Sequence, residues 1–132
     1  MAGLSGGFLA GDDLEVTLDE PCIRAKGSFL GAGGIIAFDD SRDMVQAAHD
    51  AMAFFAHESC GKCFPCRIGT RRLTERLSGS SGPTGMADWE SEVRDIGKVM
   101  KATSACGLGM AAPLITESLL KYFPAEIEQH LQ

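Results

Sequence analysis

Four of the five cysteines in this 132-residue chain are spaced to act together. Cys60, Cys63 and Cys66 stand at i, i+3 and i+6 in the run Glu58-Ser59-Cys60-Gly61-Lys62-Cys63-Phe64-Pro65-Cys66-Arg67. Three thiols on one short loop reach three corners of a small inorganic cube. Cys106, in Ala105-Cys106-Gly107-Leu108-Gly109, supplies a fourth donor from a distant segment. Four thiolates are the ligand count of a [4Fe–4S] cluster, and three close cysteines plus a remote one is the usual iron–sulfur spacing. Iron in such a thiolate cage exchanges electrons. The predicted metal ligands are therefore Cys60, Cys63, Cys66 and Cys106, and the predicted chemistry is electron transfer.

The same residue types admit other chemistry. Structural zinc also takes four cysteines, but as two separated Cys-x2-Cys pairs rather than three plus one. A zinc-stabilised interaction module is the alternative reading. A thiol–disulfide redox pair would leave two cysteines unused and lacks the strand-to-helix setting of such motifs. His49, His57 and His130 have no carboxylate partner visible in the sequence, so they read as surface or interface residues. Glu58 reads as the end of a helix or a hydrogen-bonding support for the loop. Gly61, Gly107 and Gly109 allow close backbone approach, and Pro65 stiffens the loop. Lys62 and Arg67 stand where they offset cluster charge, whereas Arg71 and Arg72 read as a solvated helix face.

Cys22 stands apart in Asp19-Glu20-Pro21-Cys22-Ile23 and reads as a small packing residue. Three cysteines within seven residues would pair with strain, so the set fits metal ligation in a reducing, cytoplasmic compartment better than a secreted disulfide framework. The formal charge of −6 and pI near 4.9 argue against nucleic acid and anionic membrane surfaces as partners. No apolar stretch reaches bilayer length, and the first residues, Met1-Ala2-Gly3-Leu4-Ser5-Gly6-Gly7, lack the basic and apolar regions of a signal peptide.

The elements that must position the cysteines follow from periodicity. Leu14-Glu15-Val16-Thr17-Leu18 alternates as a half-buried strand does, and Ile35-Ile36-Ala37-Phe38 reads as a second short strand. Gly31-Ala32-Gly33-Gly34 lacks the register of a phosphate-binding loop and reads as a turn between them. From Ser41 the period becomes helical. Asp43 or Ser41 caps a helix reaching about His57, with Met44, Val45, Ala48, Met52 and Phe55 on one face. A second helix is predicted over residues 69–77, with Ile68, Leu73 and Leu77 along one side. After a connection at residues 78–85, Asp88 opens a third, with Trp89, Val93, Ile96, Val99 and Met100 inward. Pro113 starts a fourth, facing inward through Leu114, Ile115, Leu119, Leu120 and Phe123, and Pro124 separates it from a last turn carrying Ile127 and Leu131. The expected fold class is mainly α: a four-helix bundle over residues 41–132, preceded in residues 1–40 by a glycine-rich β remnant. In an up-down bundle the three-cysteine loop and the Cys106 loop fall at one end.

The run from Glu58 to Thr70 resembles the NADH-binding flavoprotein subunit of respiratory complex I and its relatives, the diaphorase subunits of NAD-linked hydrogenases and the β subunits of NAD-dependent formate dehydrogenases. The separation from Cys66 to Cys106, the run Cys106-Gly107-Leu108-Gly109-Met110-Ala111-Ala112-Pro113, and the upstream Gly27-Ser28-Phe29-Leu30-Gly31-Ala32-Gly33-Gly34 carry the same resemblance. Residues 25–40 look closest to the formate dehydrogenase branch. The resemblance implies a cluster that passes electrons between a flavin mononucleotide and the next iron–sulfur centre of a multi-subunit oxidoreductase. It implies that FMN and NAD bind in an upstream domain missing from this sequence, that residues 1–40 are the end of a ubiquitin-like (β-grasp) domain, and that the chain is not catalytic alone.

Overall fold

A computed structural model describes residues 5–79 and 85–132. The chain is mainly α. It begins with a 3₁₀ turn, Gly11–Glu15, followed by α1 (Glu20–Ala25), α2 (Met44–Glu58), α3 (Phe64–Leu77), α4 (Met86–Thr103), α5 (Gly107–Ala111), α6 (Pro113–Tyr122) and α7 (Pro124–His130). The long helix expected from Asp43 is α2. The Asp43 carboxylate accepts the Gln46 amide at 3.0 Å, satisfying one of the donors that a helix start leaves unpaired. Its face Met44, Val45, Ala48, Ala51, Met52 and Phe55 is buried. α2 packs on α3 and α6, and α4 packs on the same two helices. One cluster of apolar side chains fills the space between them, including Met52, Leu73, Trp89, Val93, Met100, Ile115, Leu119 and Ile127.

Two helices depart from expectation at the ends that concern the cysteines. α3 begins at Phe64, five residues before the predicted start, because Pro65 sits in the first turn where its missing N–H costs nothing. Cys66 is thus a helical residue on the buried face beside Gly69, Thr70 and Leu73. α5 lies in what was expected to be plain loop. On α4, Trp89, Val93 and Met100 are buried as predicted, but Val99 is 55% exposed. Gly97 takes the inward position instead, because it lies four residues from Val93 and eight from Trp89 on one stripe. Residues 80–84 of the predicted connection lie outside the described residues.

The β remnant is not seen: among the described residues there is no strand, only an isolated bridge at Ile35. Residues 14–18 alternate, but a half-buried strand needs a neighbour to complete its ladder. Local forces win instead. Asp12 and Asp13 occupy the first turn of the 3₁₀ element, where negative charge is favoured. The Asp19 carboxylate accepts the Cys22 amide at 2.8 Å, and Pro21 follows in the first turn, so α1 forms where no helix was predicted. The glycine run at residues 31–34 is a turn, closed by the Gly33 amide on the Leu30 carbonyl at 2.9 Å.

Residues 5–40 are strapped to the C-terminal helices rather than paired as a sheet. Phe8 is 2% exposed and packs edge-on against Phe38 and Phe123, ring centroids 6.4 and 6.0 Å away. Its amide donates to Ser118 Oγ at 2.9 Å. Asp13 accepts from Tyr122 Oη at 2.5 Å and pairs with Lys26 at 2.7 Å and Lys121 at 3.2 Å. Leu14, Leu18, Ile35 and Ile36 remain exposed on this segment.

Candidate metal centre

The turn between α2 and α3 carries Cys60 and Cys63, the first turn of α3 carries Cys66, and the turn between α4 and α5 carries Cys106. α3 packs on α4 and on α5, which brings the two turns to the same end of the helices. Gly61 has φ +74°, a left-handed conformation that glycine adopts at no steric cost. It turns the chain between Cys60 and Cys63. The Arg67 guanidinium donates to the Gly61 carbonyl at 3.1 Å, so the loop is tied back to α3. Arg67 thus supports the backbone. Arg72 pairs with Glu75 and Glu92 on the helix surface, as a solvated basic face would.

The four thiols have different surroundings. Cys60 and Cys106 are exposed, Cys63 is half-buried and Cys66 is buried; none is in a disulfide. The backbone N–H of Ala105, then that of Cys66, faces the Cys63 thiol and holds its pKa below the ordinary thiol value. Ala105 immediately precedes Cys106, so this contact crosses from one cysteine turn to the other. Burial pushes the Cys66 thiol up; a hydrogen bond from Ser59 opposes it, and the other three thiols, when charged, push the same way as burial. The other three thiols therefore lie within electrostatic reach of Cys66.

The closest packing is between Cys66 and Gly109. A Cβ placed on Gly109 would lie 2.9 Å from Cys66 Cβ and 2.4 Å from Ser104 Oγ, so no larger residue fits where α5 meets α3. A Cβ on Gly107 would meet no protein atom within 4 Å. Among the described residues no three side chains of ligating type close on a single-ion position. The four cysteines come from two chain segments that meet at one end of the helices. An all-sulfur donor set with amides aimed at it suits iron–sulfide chemistry, since thiolate ligands and N–H donors to sulfur are what such a group needs.

The other predicted site residues fall outside this centre. Cys22 is on α1, half-buried. His49 and His57 do have carboxylate neighbours, contrary to expectation: Nδ1 of each lies 3.2 Å from Asp50 and 3.1 Å from Glu58. Both contacts join sequence neighbours at the helix surface, a pairing that a search for distant orienters overlooks. Glu58 closes α2, but its carboxylate meets His57 rather than the cysteine loop. Sequence reasoning missed Ser59 and Ser104. Ser59 Oγ lies 3.3 Å from Cys66 Sγ, and Ser104 Oγ is buried without a protein partner. Their adjacency to Cys60 and Cys106 was the available signal.

A mainly helical domain with four cysteines at one end suits the class of iron–sulfur binding domains, and comparison with known proteins narrows this to one family. The sequence profile of the NADH-ubiquinone oxidoreductase-F iron-sulfur binding region matches residues 46–130. The chain is 36% identical over 129 residues to the NADP-reducing hydrogenase subunit HndC of Solidesulfovibrio fructosivorans, covering 98% of this chain and 26% of that one. It is 37% identical over 133 residues to an F-type subunit of the NADH-quinone oxidoreductase of Rhizobium meliloti (strain 1021), covering 98% and 31%. Its fold matches a chain of an NAD+-reducing [NiFe]-hydrogenase in the air-oxidised state with TM-score 0.82 and 31% identity, over 100% of this chain and 23% of the other. This chain belongs to the NADH-ubiquinone oxidoreductase-F iron-sulfur binding region family. It spans between a quarter and a third of the length of these two curated relatives.

Proposed function

We propose that the chain carries one [4Fe–4S] cluster on Cys60, Cys63, Cys66 and Cys106 and relays electrons in an NAD(H)-linked oxidoreductase. The observation that carries this reading is the close approach of Gly109 to Cys66, where a Cβ on the glycine would lie 2.9 Å from Cys66 Cβ. It joins the start of α3, which follows Cys60 and Cys63 and contains Cys66, to α5, which follows Cys106. Residues 41–132 act as the cluster-binding unit, with α2, α3, α4 and α6 as a four-helix bundle. Thiolate-bound iron supplies one-electron chemistry when the group is present. The chain's own part is to fix the sulfurs, aim amides at them and keep Cys66 from water. No residue here is assigned to catalysis. Electrons arrive from, or leave to, a flavin and NAD(H) site elsewhere in the parent assembly, and further iron–sulfur centres lie beyond.

The partners in this reading are other subunits of a multi-subunit oxidoreductase of the hydrogenase or NADH–quinone oxidoreductase kind, as the names of the relatives suggest. A formate dehydrogenase parent rests on residues 25–40 alone. Unpaired cysteines throughout suit a reducing compartment such as the cytoplasm. Among the described residues no helix is long and apolar enough to cross a membrane. Anaerobic purification tests the reading. Brown protein with about four irons and four sulfides per chain, and an electron paramagnetic resonance signal on reduction, is the expected result. Colourless protein with one zinc per chain would replace it with a zinc-stabilised interaction module.

A further inference from the structure

Two serine hydroxyls flank the buried Cys66, one from each cysteine turn. Ser59 ends α2 and immediately precedes Cys60; its Oγ lies 3.3 Å from Cys66 Sγ. A thiol and a hydroxyl at that distance can share a proton either way. Once the sulfur binds iron as a thiolate it has no proton to give, so Ser59 must be the donor. Ser59 Oγ also lies 3.4 Å from the Gly61 N–H, which donates to it. The hydroxyl oxygen is therefore used as an acceptor, and its one hydrogen is left for the sulfur.

Ser104 ends α4, two residues before Cys106, with its own amide on the Met100 carbonyl at 3.0 Å. It is 5% exposed, yet its Oγ has no hydrogen-bond partner. Leaving a buried hydroxyl without an acceptor is unfavourable, so its environment calls for a partner that the polypeptide does not supply. Its neighbours say where that partner is. The position a Gly109 Cβ would take lies 2.4 Å from Ser104 Oγ and 2.9 Å from Cys66 Cβ. The unpartnered hydroxyl thus stands beside the buried ligand.

Resting on the cluster assignment above, we propose that Ser59 and Ser104 are positioning residues that donate hydrogen bonds to the sulfur shell of the cluster, Ser59 to Cys66 Sγ and Ser104 to a sulfur beside Cys66, and so raise its reduction potential. A donor to a ligating or bridging sulfur draws electron density away from iron and stabilises the reduced state, which carries one more negative charge. The two hydroxyls reach the cluster from the side of Cys66, where burial weakens competition from water. Cys60 and Cys106, by contrast, are exposed.

The test uses the full cluster-loaded chain and three variants, Ser59→Ala, Ser104→Ala and Ser59→Thr, the last keeping the hydroxyl. Iron and sulfide content is measured first, then the midpoint potential by redox titration. Exchangeable-proton couplings are then recorded by electron–nuclear double resonance in H2O and D2O. The expected result is unchanged iron and sulfide, a lower midpoint potential in each alanine variant, loss of one exchangeable coupling in each, and near-wild-type values in Ser59→Thr. A merely structural serine would move stability but not the coupling. Should Ser104→Ala fail to load a cluster, Ser59→Ala and Ser59→Thr still decide the matter. Alanine variants with a full cluster, unaltered couplings and an unaltered potential would overturn the proposal while leaving the cluster assignment intact. A wild-type chain that binds no iron or sulfide overturns both.

Discussion

Gly109 touches Cys66 so closely that a methyl group on it would fall 2.9 Å from the Cys66 Cβ. This contact couples α5, which follows Cys106, to the helix that carries Cys66. Such overpacking costs about 1–3 kcal/mol when neighbours must shift. Here the neighbours are the cysteine turns themselves. Gly109→Ala is expected to leave helix content nearly unchanged by circular dichroism while lowering iron per chain after anaerobic reconstitution. Gly107→Ala, which meets open space, is the control and should load normally. Equal iron content in the two variants would show that the close approach has no bearing on the site.

The ligand assignment predicts a sharp division among the five cysteines. Serine at position 60, 63, 66 or 106 removes one thiolate and should lose the cluster or convert it to a form with fewer irons, seen as altered colour and electron paramagnetic resonance. Cys22→Ser should keep full iron content, because Cys22 lies on α1 and its amide serves the Asp19 cap. A Cys22 variant as poor in iron as the other four would place a fifth sulfur at the centre and break the assignment.

The helical half of the fold was readable because its signals are local and dense. Asp43 stands before an apolar stripe of regular period, and the structure places the cap there. The four cysteines were readable as a set because their spacing repeats one turn-like interval and then waits for a single distant partner. The N-terminal segment was not, since alternation at residues 14–18 carries no information about whether a pairing strand exists. Side-chain bonds to α6 residues more than a hundred positions away decide that segment, Phe8 to Ser118 and Asp13 to Tyr122 among them. The start of α3 was hidden for a different reason. Cysteines read as loop ligands masked the helix-starting proline among them, so Cys66 was placed in a loop although it is helical. Ser104 was invisible because a serine's value there depends on burial, which no short motif encodes.

Trp89 offers a test of the packing that holds α4, which leads into the Cys106 turn, against α3, which carries Cys66. It is 2% exposed, and its indole N–H donates to the Arg76 carbonyl near the end of α3 at 3.0 Å. Trp89→Ala should destabilise the chain by about 3–5 kcal/mol through lost burial and the cavity left behind. Trp89→Phe keeps most of the bulk but leaves that carbonyl unpaired, for a loss of about 1–3 kcal/mol. Urea unfolding followed by far-ultraviolet dichroism ranks the two. A phenylalanine variant as unstable as the alanine one would mean that the hydrogen bond, rather than the burial, holds α4 to α3.

The N-terminal strap should respond to pH through Asp13. The bond to Lys26, then those to Tyr122 and Lys121, hold the Asp13 carboxyl far below the usual carboxylate range, and the partnership with Asp13 raises Lys26 above the ordinary lysine value. A carboxyl whose folded pKa is depressed contributes stability that is present above its unfolded value, near 3.9, and is lost as pH falls through the folded one. A lysine whose folded pKa is raised contributes below its unfolded value, near 10.4, and that contribution fades as pH climbs through the folded one. The strap is therefore firmest between about pH 5 and 10 and loosens on both sides of that window. Hydrogen exchange at the Phe8 amide, which is held by Ser118, reads the loosening directly once corrected for the intrinsic pH dependence of exchange. Asp13→Asn should speed that exchange at neutral pH and flatten its acid dependence. The same variant should leave exchange across α2 and α4 unaltered, because among the described residues Asp13 is bonded to Lys26 and to residues of α6. Loosening of α2 in step with Phe8 would instead mean that the strap and the helices flanking the cysteine turns unfold as one unit.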